Sequence, residues 1–150
     1  DTDSEVRFLN RLQDYIKKQD CVLRQLDWWM FSKLDQYLDT PFIPYYDPKQ
    51  NRIARFIPDF IFWGQKGDTY TILFVDPKGM EQIDWERKTD GYRRLFEDAE
   101  TNLKRFDHEG AQVSVRLFLF TKDRNVCPEG NYKRFWMDSA PTLFKTAFGL

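Results

Sequence analysis

The sequence predicts an α/β domain in which helices flank a central mixed sheet and the core elements follow the order α-β-β-β-α-β. Three observations support this fold class. An amphipathic helical pattern opens the chain, strand-like apolar runs separated by turn residues follow it, and a second helical pattern precedes a final apolar run, Val113–Phe120. A chain of 150 residues is long enough for one domain with a substantial core, so residues 1–150 are assigned to a single domain.

The first helix and the first strands are predicted from the N-terminal third of the chain. Thr2-Asp3-Ser4-Glu5 matches a capping box, and apolar residues at helical spacing extend the helix over about residues 3–18. The aromatic segment Trp28–Phe31 is interpreted as a buried strand. Phe42–Tyr46 is predicted as a strand at an edge or a bulge, because the prolines in and just before it cannot donate ladder hydrogen bonds.

Two further strands complete a predicted meander. The turn residues Asp47–Asn51 lead into a strand from Arg52 to Trp63. A second turn at Gly64–Asp68 then leads into a strand from Tyr70 to Asp76. Together with Phe42–Tyr46, these segments are expected to form the three strands that follow the first helix.

The second half of the chain is predicted to add two helices and the last strands. The pattern from Ile83 to about Phe106 is helical, and Gly91 is expected to weaken this helix or mark a break in it. Val113–Phe120 is nearly continuous in apolar residues and is therefore expected to be buried on both faces. The tail from Tyr132 to Phe148 is predicted to hold a short strand and a helix separated by Pro141.

Composition and charge narrow the class of protein. The chain contains 14 Phe, 7 Tyr and 5 Trp, which predicts a bulky and tightly packed core. Its 23 basic and 24 acidic side chains give a formal net charge of −1, which argues against a simple electrostatic DNA clamp without excluding nucleic acid. No apolar run reaches the roughly 20 residues that span a bilayer, so no membrane partner is expected.

The chain start and the cysteines indicate the cellular context. The sequence begins with Asp1 rather than Met, and its first residues already start a helix, so we expect a domain of a longer protein. Cys21 and Cys127 follow no metal-ligand pattern and suit a reduced, cytoplasmic protein. Two isolated cysteines and one histidine do not predict a zinc site.

The most informative motif combines Pro58-Asp59 with Asp76-Pro77-Lys78. These residues lie in two apolar runs that are predicted to pair as an antiparallel hairpin, which would bring two carboxylates and one ammonium group together. Mg²⁺ takes oxygen ligands and keeps several waters, so one or two carboxylates plus a substrate phosphate suffice to hold it. Lys78 lies on the same face of the strand as Asp76, where its ammonium group can stabilise charge on a phosphate. The motif therefore predicts metal-dependent phosphodiester hydrolysis.

The same residues resemble a known family. Pro58-Asp59, then Asp76-Pro77-Lys78, with Glu5 on the preceding helix, resemble the PD-(D/E)XK nuclease superfamily. The sequence around the motif, IPDFIFW and FVDPKG, is most similar to the C-terminal endonuclease domain of type III restriction enzymes and related superfamily 2 helicase-nucleases. The resemblance spans roughly Glu5 to Phe120 and implies a restriction-endonuclease-like core of the α-β-β-β-α-β order.

The resemblance implies a role for each matching residue. Asp59 and Asp76 would be metal ligands, the backbone carbonyl of Pro77 would be a third ligand, and Glu5 would complete the site. Lys78 would be the catalytic lysine. The cofactor would be Mg²⁺, with Mn²⁺ able to substitute. Lys88 on the second helix takes a position where several members carry a polar or basic residue that faces the site.

Other interpretations of these residues remain open from the sequence. Asp59 and Asp76 could end their strands, with Lys78 neutralising them in a surface ion pair that contributes about 0–1 kcal/mol. Glu5 could bond the helix N-terminus as part of the capping box instead of binding metal. Arg52 and Arg55 are compatible with either a phosphate contact or a solvated surface.

The function expected from this reading is that of a Mg²⁺-dependent endodeoxyribonuclease domain, the cutting module of a type III-like restriction enzyme. Its partners would be double-stranded DNA, a helicase or ATPase motor in the same longer chain, and a methyltransferase or specificity subunit. No glycine-rich phosphate loop is present, so ATP would be used elsewhere. The alternatives are a non-catalytic DNA-binding or subunit-docking module with the same fold, or a nuclease that acts on other nucleic acid.

Overall fold

The computed structural model describes residues 2–38, 40–78, 84–99 and 102–150, and these form a three-layer α/β fold. The described helices are α1 (Thr2–Ile16), α2 (Trp85–Phe96) and α3 (Ala140–Phe148). The described strands are β1 (Trp28–Lys33), β2 (Ile43–Asp47), β3 (Arg52–Phe56), β4 (Phe60–Lys66), β5 (Thr69–Pro77), β6 (Phe106–His108), β7 (Ala111–Phe120) and β8 (Trp136–Met137).

Six of the strands form one mixed sheet. Its order is β1-β4-β5-β7-β6, and β8 also pairs with β7. Neighbours β1, β4 and β5 are antiparallel, whereas β5 and β7 are parallel. Parallel neighbours require a crossover connection, and α2 lies in the segment that connects these two strands. The predicted mixed sheet flanked by helices is therefore confirmed.

The predicted meander is wrong in its first two strands. β2 and β3 form a separate two-stranded sheet, and the strand predicted from Arg52 to Trp63 is divided between β3 and β4. Pro58 lies in the break, where it has no N–H to donate to a ladder. In the main sheet, the strand that joins β4 and β5 to make three antiparallel strands is β1. The β2–β3 hairpin is therefore an insertion between β1 and β4.

The aromatic segment Trp28–Phe31 is a strand, as predicted, but it is not buried. β1 lies at the edge of the main sheet and pairs with β4. Met30 and Phe31 are 55% and 40% exposed, and no further strand in the described part of the chain pairs with that edge.

The second predicted helix is shorter than expected. Its predicted start at Ile83 lies outside the described residues, and α2 ends at Phe96 rather than near Phe106. The backbone adopts an extended conformation at Glu97, which ends the helix. Phe106 begins strand β6, which the periodicity did not predict. Gly91 does not break the helix, because α2 is continuous through it.

The C-terminal elements match the prediction except at Pro141. The short strand is β8 and the helix is α3, which begins before Pro141 rather than after it. Proline in the first turn of a helix loses no hydrogen bond, since its N–H would have no intrahelical partner there. Ser139 caps α3 by accepting a hydrogen bond from the Thr142 backbone N–H at 3.2 Å.

The core lies on both faces of the main sheet. On one face, α1 and α3 pack over β4, β5 and β7, with Phe8, Phe62 and Phe144 fully buried. On the other face, α2 and the β2–β3 hairpin cover the sheet. Alternate residues of β7 join the two clusters, with Phe118 on the first face and Leu117 on the second, so β7 is buried on both faces as predicted.

Candidate functional site

The β4–β5 register brings Asp59 and Asp76 together. Phe60 pairs with Val75 at the last position of the ladder, so Asp59, just before β4, lies beside Asp76, which continues β5. The backbone N–H of Asp59 donates to Asp76 Oδ1 at 3.0 Å. Because the strand is interrupted at Pro58, this N–H bonds a side-chain oxygen instead of the backbone carbonyl of a neighbouring strand. The predicted meeting of the two acids at this end of the hairpin is present.

Asp76 and Lys78 form a buried ion pair. Lys78 Nζ lies 2.8 Å from Asp76 Oδ2, and the two side chains are only 9% and 3% exposed. The surface ion pair considered from the sequence is therefore wrong, since both groups are desolvated. The backbone N–H of Lys78 donates to the Phe120 carbonyl at 2.9 Å, so β7 fixes the position of the Lys78 backbone.

One oxygen of Asp76 lacks an aligned hydrogen bond. Oδ2 is buried, and although Lys78 Nζ lies at ion-pair distance, no donor among the described residues points at it with hydrogen-bond geometry. Burying a carboxylate oxygen without full hydrogen bonding is costly unless another positive group compensates. This oxygen is therefore a candidate ligand atom.

Asp59 is destabilised in its charged form. Burial raises its pKa most, the charges of Asp76 and Glu5 raise it further, and Lys78 lowers it only in part, so that the pKa rises to about 7. Two carboxylates that share a site repel each other, and the effect is larger where water is excluded. A divalent cation between them would remove this repulsion.

Lys88 reaches the same site from α2. Its Nζ lies 5.1 Å from the centre of the Phe56 ring and 6.0 Å from that of Tyr45. Burial lowers the pKa of Lys88, and the nearby charge of Lys78 lowers it further. The structure therefore places Lys88 facing the acids, as the resemblance implied for this helix.

Glu5 lies near the acids but contacts a different residue. Its Oε2 is 2.6 Å from Lys33 Nζ on β1, and this carboxylate is close enough to raise the pKa of Asp59. Glu5 and Asp59 line a shared cavity of about 510 Å³. Within the described ranges, no group of three acid, histidine or cysteine side chains is close enough to hold a metal. The pairing with Lys33 was not foreseen in either interpretation of Glu5.

Asp59 and Asp76 line a cavity of about 430 Å³. The sequence motif predicted only some of the residues that line it. Asp59, Asp76, Pro77, Lys78 and Lys88 all line it. The rest of the lining comes from residues that the motif did not include, namely Gln36, Tyr45, Arg55, Phe56 and Ile57. Four of these five belong to the β2–β3 hairpin or directly follow it. Arg55 was noted in the sequence, but its meeting with the acids depends on how the hairpin packs.

Comparison with known proteins gives a family and no further match. The sequence profile of the YagJ family matches residues 1–124. No curated protein matches the chain, and no solved structure does. No helix in the described part of the chain is long and apolar enough to cross a membrane. The family match covers most of the chain, including Asp59, Asp76, Lys78 and Lys88, and the chain therefore belongs to the YagJ family.

Proposed function

We propose that this protein is a Mg²⁺-dependent endodeoxyribonuclease domain of the PD-(D/E)XK type. The observation that carries the proposal is the buried group of Asp59, Asp76 and Lys78 at one end of the β4–β5 pair, open to a cavity of about 430 Å³. Two carboxylates and a cation in one partly enclosed site suit phosphodiester hydrolysis better than a structural role, because their charges are costly to bury.

The element order supports a restriction-endonuclease-like core. With the β2–β3 hairpin and the short β6 set aside, the chain runs α1, β1, β4, β5, α2 and β7. This is the α-β-β-β-α-β order that the superfamily resemblance implies, with Asp59 just before the second core strand and Asp76 on the third. The hairpin is then an insertion into that core.

The side chains at the site fit a divalent cation. Asp76 Oδ2 has no aligned hydrogen bond, and burial and neighbouring charge disfavour a second carboxylate at Asp59. Asp59, Asp76 and the backbone carbonyl of Pro77 would hold the ion, since hard cations take oxygen ligands and accept waters at the remaining positions. When bound, Mg²⁺ or Mn²⁺ would act as a Lewis acid and lower the pKa of an attacking water.

The protein's own groups would orient and stabilise the reacting phosphate. The Asp59 N–H fixes Asp76 Oδ1, while Oδ2 lies against the ammonium group of Lys78. Lys78, held against Asp76, would stabilise the negative charge that builds on the phosphate during in-line attack. Lys88 adds a second cation that is partly desolvated and therefore acts more strongly on an anion than an exposed lysine does.

A more specific form of the proposal concerns the biological role of the domain. In it, the domain cuts DNA for a type III-like restriction enzyme in the cytoplasm. A helicase or ATPase motor would lie in the same longer chain, and a methyltransferase subunit would supply the recognition. The near-neutral net charge of −1 suits a cutting module whose DNA is delivered by another part of the enzyme.

Nicking of supercoiled plasmid tests the proposed function. We expect the wild-type protein to nick the plasmid in Mg²⁺ or Mn²⁺ and to lose this activity in EDTA. Asp76→Ala should reduce the nicking rate by about a hundredfold or more, because removing a ligand costs at least as much as removing the groups that orient it. Asp14→Ala, which removes an exposed acid on α1 far from the motif, is the matched control and should cut at the wild-type rate.

Two results would contradict this function. Equal nicking by wild type and Asp76→Ala would mean that the cleavage comes from another site or another protein. No nicking by wild type, under conditions in which it binds the plasmid, would favour the non-catalytic DNA-binding module with the same fold.

A further inference from the structure

The β2–β3 hairpin forms part of the wall of the cavity that contains the acids. Its inner face is buried against α2 and the main sheet, with Ile43, Tyr45 and Phe56 only 0%, 8% and 3% exposed. The rings of Tyr45 and Phe56 lie beneath the ammonium group of Lys88. The hairpin therefore builds part of the floor of the site as well as its rim.

The hairpin is held firmly at this place. A Cβ atom added at Gly91 of α2 would lie 2.4 Å from the Pro44 carbonyl oxygen and 2.9 Å from Tyr45 Cβ, so the helix and strand backbones touch directly. At the tip, the Tyr46 hydroxyl donates to Asn51 Oδ1 at 2.7 Å, and the Lys49 N–H donates to Asp47 Oδ1 at 3.0 Å. A side chain on the hairpin is therefore positioned in advance of substrate binding.

Arg55 is a cationic residue of this hairpin that lines the cavity. Its guanidinium carbon lies 4.2 Å from the centre of the Phe42 ring, and the residue lines the same cavity as Asp59 and Asp76. No carboxylate in the described part of the chain forms an ion pair with it. Stacking on the ring holds the guanidinium plane while its N–H donors remain available at the edge. Such an edge matches two oxygens of a phosphate.

Arg52 on the same strand differs in its surroundings. The ladder pairs Arg52 with Asp47 and Arg55 with Pro44, so the two arginines project from opposite faces of β3. Arg52 does not line the cavity that contains the acids. Both arginines are exposed, and only Arg55 combines a ring contact with a position at the site.

We propose that Arg55, stacked on Phe42, binds a backbone phosphate of DNA beside the phosphodiester that the acids cleave, and that the β2–β3 hairpin is the substrate-binding wall of the site. This inference rests on the proposed nuclease function. A chain with a net charge of −1 and two acids in its site needs local cations to hold a polyanion, and Arg55 adds one to Lys78 and Lys88 at the cavity.

DNA binding by Arg55→Ala and Arg52→Ala tests the inference. Binding of a fluorescein-labelled DNA duplex is followed by fluorescence anisotropy in EDTA at several salt concentrations, so that cleavage does not interfere. We expect Arg55→Ala to weaken binding by about tenfold, the typical effect of losing a charge-assisted hydrogen bond. The slope of log Kd against log salt should fall by about 1, because one phosphate contact is lost. Arg52→Ala should bind within about twofold of wild type.

Kinetics and a conservative variant separate a binding role from a structural one. In Mn²⁺, Arg55→Ala should raise KM for plasmid nicking with little change in kcat. Arg55→Lys should recover the salt slope, because the charge is retained, but only part of the affinity, because a lysine cannot bind a phosphate in a bidentate way. Unchanged urea unfolding of both variants would exclude a folding defect as the cause.

The outcomes distinguish the inference from the function beneath it. If Arg55→Ala and Arg52→Ala bind alike while Asp76→Ala still abolishes nicking, the inference is overturned and the nuclease function stands. If Arg55→Ala binds DNA more weakly than wild type while Arg52→Ala does not, and the wild-type protein does not nick DNA, Arg55 stands as a phosphate-binding residue of the hairpin and the nuclease function is overturned. A wild-type protein that neither binds nor nicks DNA overturns both.

Discussion

At Asp59, burial and charge act together on a single carboxyl group. Burial, Asp76 and Glu5 raise its pKa to about 7, and Lys78 offsets only part of that rise. In the unfolded chain the pKa returns to its ordinary value of 3.8. Between about pH 4 and pH 7 the folded protein therefore binds more protons than the unfolded chain, and the free energy of unfolding falls as the pH rises. The destabilisation is complete above about pH 7.

The variant Asp59→Asn tests this linkage. In EDTA we expect it to raise the free energy of unfolding relative to wild type at about pH 8, where Asp59 is charged in both states, and to change it little at about pH 4. Urea unfolding at the two pH values measures the difference. Asp14→Asn, at an exposed position on α1, should show the same stability as wild type at both. A gain for Asp59→Asn that is equal at both pH values would mean that Asp59 titrates normally.

The residues of the site differ in how far they could be placed from the sequence. Asp59, Asp76 and Lys78 could be brought together because they lie at the open end of one hairpin, and strand register across a tight turn is a local property. Arg55 and Phe56 lie near Asp59 in sequence, but their position at the site depends on the packing of the hairpin against α2. Composition and periodicity do not report a contact of that kind.

At the scale of elements, Gly91 allows the β2–β3 hairpin to pack directly against the backbone of α2. Helix propensity alone predicts that Gly91→Ala stabilises α2 by about 1 kcal/mol. The structure predicts the opposite sign, because the added Cβ would lie 2.4 Å from the Pro44 carbonyl oxygen, a backbone atom that cannot move independently. Overpacking costs about 1–3 kcal/mol. We therefore expect a net loss of stability, measured by urea unfolding.

The matched control for that variant is Arg94→Ala, an exposed position on the same helix. It should change the free energy of unfolding by no more than about 0.5 kcal/mol. Stabilisation by Gly91→Ala would mean that α2 and β2 are farther apart than the structure places them. The sequence-based expectation that Gly91 weakens the helix was reasonable locally, and the contact with the hairpin supplies the missing reason for a glycine there.

The strand errors have a related cause. Arg52–Trp63 contains seven β-branched or aromatic residues among twelve, so local propensity on both sides of Pro58 favours a strand. The structure divides this run at residues 57–59 because the two halves pack in different sheets, β3 with β2 and β4 with β5. Tertiary packing and Pro58 together thus divide a run that is otherwise rich in strand-forming residues, and they do so at the residues that form the site.

At the scale of the whole molecule, the folded unit extends beyond the region that matches the family. The family profile covers residues 1–124, whereas β8 and α3 lie at residues 136–148. These C-terminal elements are integral to the core, with Trp136 only 1% exposed and Leu143 fully buried. α3 packs on the sheet face opposite the cavity, whereas β8 extends the sheet beside β7, and neither element lines the site.

Phe144 shows how strongly this segment is integrated. Its ring stacks on Tyr15 of α1 at 6.0 Å and meets Phe62 of β4 edge-on at 5.2 Å, so it joins both helices of this layer to the sheet. We expect Phe144→Ala to lower the free energy of unfolding by about 3–5 kcal/mol, since it leaves a cavity in a fully buried cluster. Urea unfolding measures the loss, and the exposed Thr146→Ala on the same helix should leave stability nearly unchanged. A small effect of Phe144→Ala would instead mean that residues 1–124 fold independently and that α3 is only an appendage to them.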